Sequence, residues 1–310
     1  MNEKRPFFSV IIPAYGRPQL LSQCLAALAL QQYPKEQYEV IVVDDGSPHS
    51  LAPIVKTFQS GMMLQYQRQA NLGPAVARNA GAKLAQGTYL AFTDDDCAPT
   101  PSWLTFLAQG LATKPQAMIG GYTKNALPRN PFSITSQLLV DFLYNYYNQT
   151  ESRALFFTSN NFAIAADLFW QIGGFDETIP LAAGEDRELC DRWLDYGYEM
   201  VYFPRAVIQH EHYLQLFSFW RQHFNYGRGA WLYRWLRSQR NKEAVHLESP
   251  KFYLKLISFP LTMARDIRAY LLTGMLCVTQ AANAMGFLFE RFFWHRRQKK
   301  KLPNWEPDRF

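Results

Sequence analysis

Cysteine is scarce in this 310-residue chain: four residues, Cys24, Cys97, Cys190 and Cys277, lie far apart. No CxxC pair occurs, which argues against a zinc ribbon or a thioredoxin-type redox centre and suits a reducing compartment. Glycine-rich phosphate loops are missing as well, since neither GxGxxG nor a GxxxxGKS/T run is present. That weighs against a dinucleotide dehydrogenase and a P-loop enzyme. The opening MNEKRPFFSVIIP has no apolar run long enough for a secretory leader and leads straight into a strand-like segment. Charge is modest at 19%, whereas 48% of residues are hydrophobic and 15% aromatic. Such a composition excludes a disordered or collagen-like chain and is ample for a sizeable core.

The charge is unevenly placed. Residues 1–202 carry 14 Lys+Arg against 19 Asp+Glu, a balance of −5, whereas residues 203–310 carry 18 against 7, a balance of +11. A mildly acidic body with a basic, aromatic-rich tail predicts an anionic partner for the tail.

Strand and helix signals alternate over the first hundred residues. Phe8–Ile12 is a β-branched run ending at Pro13, and Pro18 opens a segment with Leu21, Cys24, Leu25 and Leu28 at helical spacing. Val40–Val43, Met63–Gln67 and Tyr89–Thr93 read as further strands, separated by helices near Leu51–Gln59 and Gly73–Ala85. The alternation predicts an α/β fold with a mainly parallel sheet and flanking helices, in which ligands bind beyond the carboxyl ends of the strands. Beyond Pro101 the expected elements are a helix, strands at Ala117–Gly121 and Asn161–Ala165, a helix over Glu185–Tyr196 and a strand at Met200–Phe203. A long helix over Leu214–Gln239 and two apolar helices after Pro250 complete the reading.

Three acidic clusters stand out: Asp44-Asp45, Asp94-Asp95-Asp96 and Glu185-Asp186. Neighbouring carboxylates repel, so they persist together where water, a cation or specific donors offset the repulsion. Asp44-Asp45-Gly46-Ser47 also reads as ordinary turn chemistry. Three consecutive aspartates after a buried strand point to a hard cation such as Mg2+ or Mn2+, held with substrate phosphates.

The strings FFSVIIPAYGRPQLLSQCLAAL, VVDDGS, NLGPAVARNAGAKLAQGTYLAFTDDDC, GGFDE and GEDRELCDRW, in that order and spacing, resemble family 2 glycosyltransferases of the GT-A fold over about residues 7–212. The resemblance implies a Rossmann-like GT-A domain over residues 1–212 that inverts the transferred sugar and needs a divalent metal, Mn or Mg. It places Pro13, Ala14, Tyr15 and Arg17 along the nucleotide edge of a nucleotide-sugar site, with a UDP-sugar as the expected donor. Asp45, and less so Asp44, would bond the base or ribose, and Arg78 the base or diphosphate. Asp94-Asp95-Asp96 matches the DxD pattern. Asp96 would ligate the metal, and Asp94 would touch the ribose or a metal-bound water. In Glu185-Asp186, Asp186 is the expected base and Glu185 its alternative. Asn160, Asn161 and Gly174 would shape the acceptor pocket, and His210, ahead of His212, would be a further metal ligand. Processive synthases of the family carry QxxRW, whereas Trp231 precedes Arg234-Trp235 at the glutamine position; a single transfer is expected. The rival readings are a nucleotidyltransferase, which lacks its phosphate loop here, and an inactive GT-A scaffold at a membrane.

Residues 213–310 form the basic, aromatic-rich helical tail, expected to associate with a membrane. Ala269–Phe289 holds no formal charge over 21 residues, a length that can cross a bilayer. Thr273, Thr279, Gln280 and Asn283 make it a poor span. The flanks, Lys251, Lys255, Arg265 and Arg268 before it and Arg291 to Lys301 after it, suit helices lying on an anionic leaflet. A peripheral or monotopic enzyme on the cytoplasmic face is expected, with a single span or packing against a dimer partner as alternatives. Nucleic acid is not expected, because the tail is too apolar for a phosphate-reading arm. The acceptor would be a hydroxyl on a glycan or a lipid-linked molecule.

Overall fold

The computed structural model describes residues 7–150 and 153–301, with side chains as far as Trp294. The expected basic run His295–Lys301 therefore lies outside the described side chains. The chain divides into two compact units, Met1–Leu214 and Gln215–Phe310.

The first unit contains β1 (Phe8–Ala14), α1 (Pro18–Ala29), β2 (Tyr38–Asp44), α2 (Ala52–Lys56), β3 (Met63–Arg68), α3 (Pro74–Leu84) and β4 (Tyr89–Phe92). There follow β5 (Cys97–Pro99), α4 (Trp103–Thr113), β6 (Met118–Asn125), α5 (Pro131–Tyr147), β7 (Phe162–Ala165), α6 (Ala166–Gln171), α7 (Glu185–Asp195) and β8 (Met200–His210). One sheet runs β3-β2-β1-β4-β7-β6-β8-β5. Its first half is parallel, as alternating elements predict, but β7 runs antiparallel to both β4 and β6, and β5 antiparallel to β8. The sheet is therefore mixed. Along β1, Val10 and Ile12 face one apolar layer with Leu21, Leu25 and Trp103, while Ile11 faces the other with Phe92, Phe162 and Trp193. Covering both faces explains why β1 and β2 read as unbroken apolar runs.

Several elements depart from expectation, among them the short β5 and α6, which were not foreseen. Helix α5 occupies residues between the strands β6 and β7, where no helix was expected; Asn130 caps it by accepting from Ser133 N, and Pro131 sits in its first turn. Strand β8 continues past Phe203 to His210, because its second half pairs with β6 and, through Cys97↔His210, with β5. Helix α2 is only five residues long.

The second unit holds α8 (Leu216–Asn241), α9 (Pro250–Met263) and α10 (Ile267–Lys301). Helices α8 and α10 meet backbone to backbone. A Cβ at Gly227 would lie 1.9 Å from Asn283 O, and one at Gly286 would lie 1.8 Å from Phe224 O, so only glycine allows this crossing.

Candidate active site

The parallel half of the sheet delivers three loops to one edge, one basic and two acidic: Tyr15–Arg17 after β1, Asp45 after β2 and Thr93–Asp96 after β4. Pro13 and Ala14 are the last residues of β1, and Ala14 O accepts from Asp45 N at 2.9 Å. Asp44 is fully buried and accepts from Ser47 N (2.8 Å), Leu51 N (3.2 Å) and Tyr66 Oη (2.7 Å). Burial pushes its pKa up, but these bonds outweigh that and lower it. Asp44 thus builds the turn, its carboxylate fully engaged by these three donors. Asp45 accepts from Gln69 Nε2 (2.8 Å), Leu72 N (3.0 Å) and Gly73 N (2.9 Å). It thereby fixes the loop that launches α3, whose Gly73 takes φ +99°, a conformation that favours glycine.

Two carboxylate–cation clusters lie beyond β4. In the first, Arg17 bonds Asp95 through one guanidinium nitrogen and Asp96 Oδ2 through the other, at 2.5 Å for Asp96. Tyr15 N also donates to Asp95 Oδ2 at 3.3 Å. His210 Nε2 lies 3.3 Å from Asp96 Oδ1, and the His210 ring stacks on His212 with centroids 4.9 Å apart. Burial together with the neighbouring Asp96 and Asp94 charges pushes Asp95 up to about 7, against the pull of Arg17. Asp96 is equally desolvated, but His210, Arg17 and His212 hold it well below the usual carboxylate range. Burial lowers the His210 pKa and Asp96 raises it; the raising effect is the larger.

In the second cluster, buried Arg78 donates to Asp94 Oδ1 at 2.7 Å and to Glu185 Oε1 at 3.1 Å, with its guanidinium 5.4 Å from the Phe175 ring centre. Glu185 and Asp186 open α7. Burial and the adjacent Asp186 push Glu185 up to about 7, partly opposed by Arg78, and burial also raises Asp186. Among the described residues, Arg78 Nε, Glu185 Oε2 and Thr93 Oγ1 are buried polar atoms with no hydrogen-bond partner. Such orphans are costly in an interior, and Arg78 Nε and Glu185 Oε2 belong to the two partners of one ion pair in this cluster.

Asp96, Cys97 and His210 each offer a donor atom, all within 4.8 Å of one another. A buried charged carboxylate beside an imidazole fits a divalent cation, with coordination positions left for phosphate oxygens. Two expectations change. Asp94 bonds Arg78 and is not in this donor group. Cys97, unforeseen as a donor, is in the group because its strand position faces His210; its adjacency to Asp96 was the available signal.

One acceptor-pocket expectation also changes, that for Asn161. Asn161 is wholly buried, accepting from Trp103 Nε1 (2.8 Å) and donating to Tyr122 O (3.0 Å) and Ala206 O (3.1 Å). It ties α4 to the sheet and is not a pocket wall. Asn160 accepts from Thr123 Oγ1 (3.2 Å) and Thr158 Oγ1 (2.8 Å). Gly174 takes φ +70° in a turn whose carbonyl accepts from Arg192 Nη2 at 2.8 Å.

A mixed sheet with this acid-bearing edge is the layout of GT-A glycosyltransferases. The mannosyltransferase PcManGT of Pyrobaculum calidifontis, solved with GDP-Man and Mn2+, superposes with a TM-score of 0.65 at 17% identity, over 93% of this chain and 88% of its own. Staphylococcus aureus TarS 1-349, solved with UDP-GlcNAc, gives 0.57 at 16% identity, over 94% and 92%. The chain belongs to glycosyl transferase family 2, whose family model matches residues 9–173. Validoxylamine A glucosyltransferase of Streptomyces hygroscopicus subsp. limoneus is 31% identical over 223 residues, 63% of this chain and 49% of that protein. Escherichia coli chondroitin synthase is 30% identical over 213 residues, 58% of this chain and 31% of the synthase. The chain thus spans about half, or less, of the length of these relatives.

Proposed function

We propose that the enzyme transfers a sugar from a nucleoside diphosphate sugar, a UDP-sugar first among candidates, to a hydroxyl of a glycan or lipid-linked acceptor by direct displacement. The observation that carries this reading is the convergence of two cation–carboxylate clusters, Arg17–Asp95–Asp96–His210 and Asp94–Arg78–Glu185, at one sheet edge. The metal and nucleotide sugar named for PcManGT support the same chemistry here.

Asp96 and His210 would hold the divalent cation, which supplies Lewis-acid charge to the diphosphate. Arg17 and Arg78 add fixed positive charge where the leaving nucleoside diphosphate gains negative charge. Asp186 takes the proton of the attacking hydroxyl as that oxygen bonds the anomeric carbon and the carbon–phosphate oxygen bond breaks, so the configuration inverts. Glu185 keeps Arg78 in place. Tyr15, exposed at the end of β1, borders the nucleotide, with Pro13 and Ala14 beneath it. The enzyme works at the cytoplasmic surface of a membrane, where the second unit meets lipid.

The test is turnover. Full-length protein is offered UDP-glucose, UDP-GlcNAc and GDP-mannose with Mn2+, and released nucleoside diphosphate is measured. Release from one donor, abolished by Asp186→Asn, supports the reading. A protein that binds nucleotide but releases nothing from any donor, with or without added acceptor glycans, contradicts it.

A further inference from the structure

Helix α10 is built inside out. Its polar residues face the protein: Thr279 and Glu290 are buried, Thr279 Oγ1 donates to Leu276 O (2.7 Å), and Asn283 Nδ2 donates to Thr279 O (3.0 Å). Gln280 Nε2 donates to Thr279 Oγ1 at 3.0 Å, and Glu290 is paired with Arg228 of α8 at 2.7 Å. Of the groups that argued against contact with lipid, Thr279, Gln280 and Asn283 are thus hydrogen-bonded within the helix, and Thr273 Oγ1 is likewise buried away from the opposite face. The opposite face carries Ile267, Leu271, Val278, Met285, Leu288 and Phe292, all exposed and spaced by three, four or seven residues along one stripe. Gly274 and Ala281 fill its gaps and are exposed too.

A helix in water places its apolar stripe inward. Here the arrangement is reversed over Ile267–Trp294, a segment long and apolar enough to cross a membrane. At about 1.5 Å per residue the stripe is roughly 40 Å long, and patches of that extent mark a partner surface. Charge identifies the partner. No charged residue occurs between Arg268 and Glu290, and exposed Arg265, Arg268 and Arg291 stand at the two ends, with exposed Lys251 and Lys255 on neighbouring α9. Cations at the rim of an apolar stripe complement anionic headgroups above acyl chains. The second half of α10 packs on α8, through Phe224–Phe289, Trp231–Phe287 and Arg228–Glu290. Helix α8 also carries exposed Arg221 and Arg237, which would be drawn into hydrocarbon if α10 crossed the bilayer.

We propose that α10 lies in the plane of an anionic bilayer surface, with the Ile267–Phe292 stripe among the acyl chains and Arg265, Arg268 and Arg291 at headgroup level. This deepens the membrane-surface reading above and rests on it.

The chain supplies its own probe. Cys277 is exposed on this stripe, whereas Cys24, Cys97 and Cys190 are buried. Full-length protein labelled at Cys277 with an environment-sensitive dye is mixed with vesicles of phosphatidylglycerol and phosphatidylcholine. The dye should shift to the blue and brominated lipids should quench it. Labels placed by Ile267→Cys and Phe292→Cys, each on Cys277→Ala, should report the same depth as position 277. The triple variant Val278→Glu, Met285→Glu, Leu288→Glu changes only exposed side chains and should partition at least roughly a hundredfold more weakly, with nucleotide binding unchanged. Protein that sediments with vesicles while Cys277 stays in water overturns the assignment of the face. Depth greatest at 277 and shallow at 267 and 292 means a span and overturns the in-plane geometry. A dye already blue-shifted without lipid, reverting on dilution, means that a second copy covers the stripe. Failure to sediment at all removes the membrane reading and leaves the sugar-transfer reading standing.

Discussion

Replacing Arg17 with alanine should tighten Mn2+ binding by the nucleotide-free protein. The guanidinium bridges Asp95 and Asp96, within 2.5 Å of Asp96 Oδ2, and so supplies the positive charge that a metal would bring to the same carboxylate. Two unit charges about 4 Å apart attract by about 4 kcal/mol at an effective dielectric of about 20. The Arg17 side chain is 44% exposed, so water screens much of that, and about 1–2 kcal/mol of competition is left. Removing it corresponds to roughly tenfold tighter Mn2+ binding. Arg17→Lys should fall between wild type and alanine, because a point charge cannot bridge two carboxylates as a planar fork does. The assay is loss of the free Mn2+ paramagnetic resonance signal on titration with protein, without nucleotide and at fixed salt. With nucleoside diphosphate present the order should reverse, since the released guanidinium then contacts the diphosphate. Unchanged or weaker Mn2+ affinity in nucleotide-free Arg17→Ala would refute the reasoning.

Asp186→Asn should lower turnover by roughly 10²–10⁴-fold with donor affinity nearly constant; if calorimetry shows that donor binding collapses, the residue belongs to the donor side. Glu185 is pushed up to about 7 and Asp186 is raised by the same burial. A base must be ionised to act, and burial raises the Asp186 pKa, so kcat at saturating donor should fall on acidification at a higher pH than an ordinary carboxylate would give; a flat profile would remove Asp186 from that role. Asn161→Ala leaves Trp103 Nε1 and two buried carbonyls without their partner, at about 1–3 kcal/mol each. Its urea midpoint should drop sharply, whereas an acceptor-pocket role would change acceptor KM and leave the midpoint alone.

The parallel half of the fold was legible because buried strands leave continuous apolar runs, and β1, β2 and β4 extend close to where those runs do. The mixed half was not. Helix α5 buries Ser133, Thr135 and Ser136 along with its apolar side chains, which blurs its period, and β8 is only partly buried over much of its length. The acidic loops were legible as chemistry, but their pairings were not: Arg17 meets Asp95 across 78 positions and Arg78 meets Glu185 across 107. Asp44 and Asn161 show the limit of residue type as a guide, since a carboxylate or amide suited to a ligand serves equally to close a turn or tie a helix to a sheet. In α10 the polar face over Thr279, Asn283 and Glu290 follows helical spacing. What the spacing could not reveal is that this face is the buried one.

The most direct test of the proposed metal-dependent nucleotide-sugar site is calorimetric titration of a UDP-sugar into wild-type protein and Asp96→Ala, each with Mn2+ and with EDTA. Binding in the wild type that is strengthened by Mn2+, and loss of that increment in Asp96→Ala, is the predicted result. Equal affinity in all four titrations would contradict it.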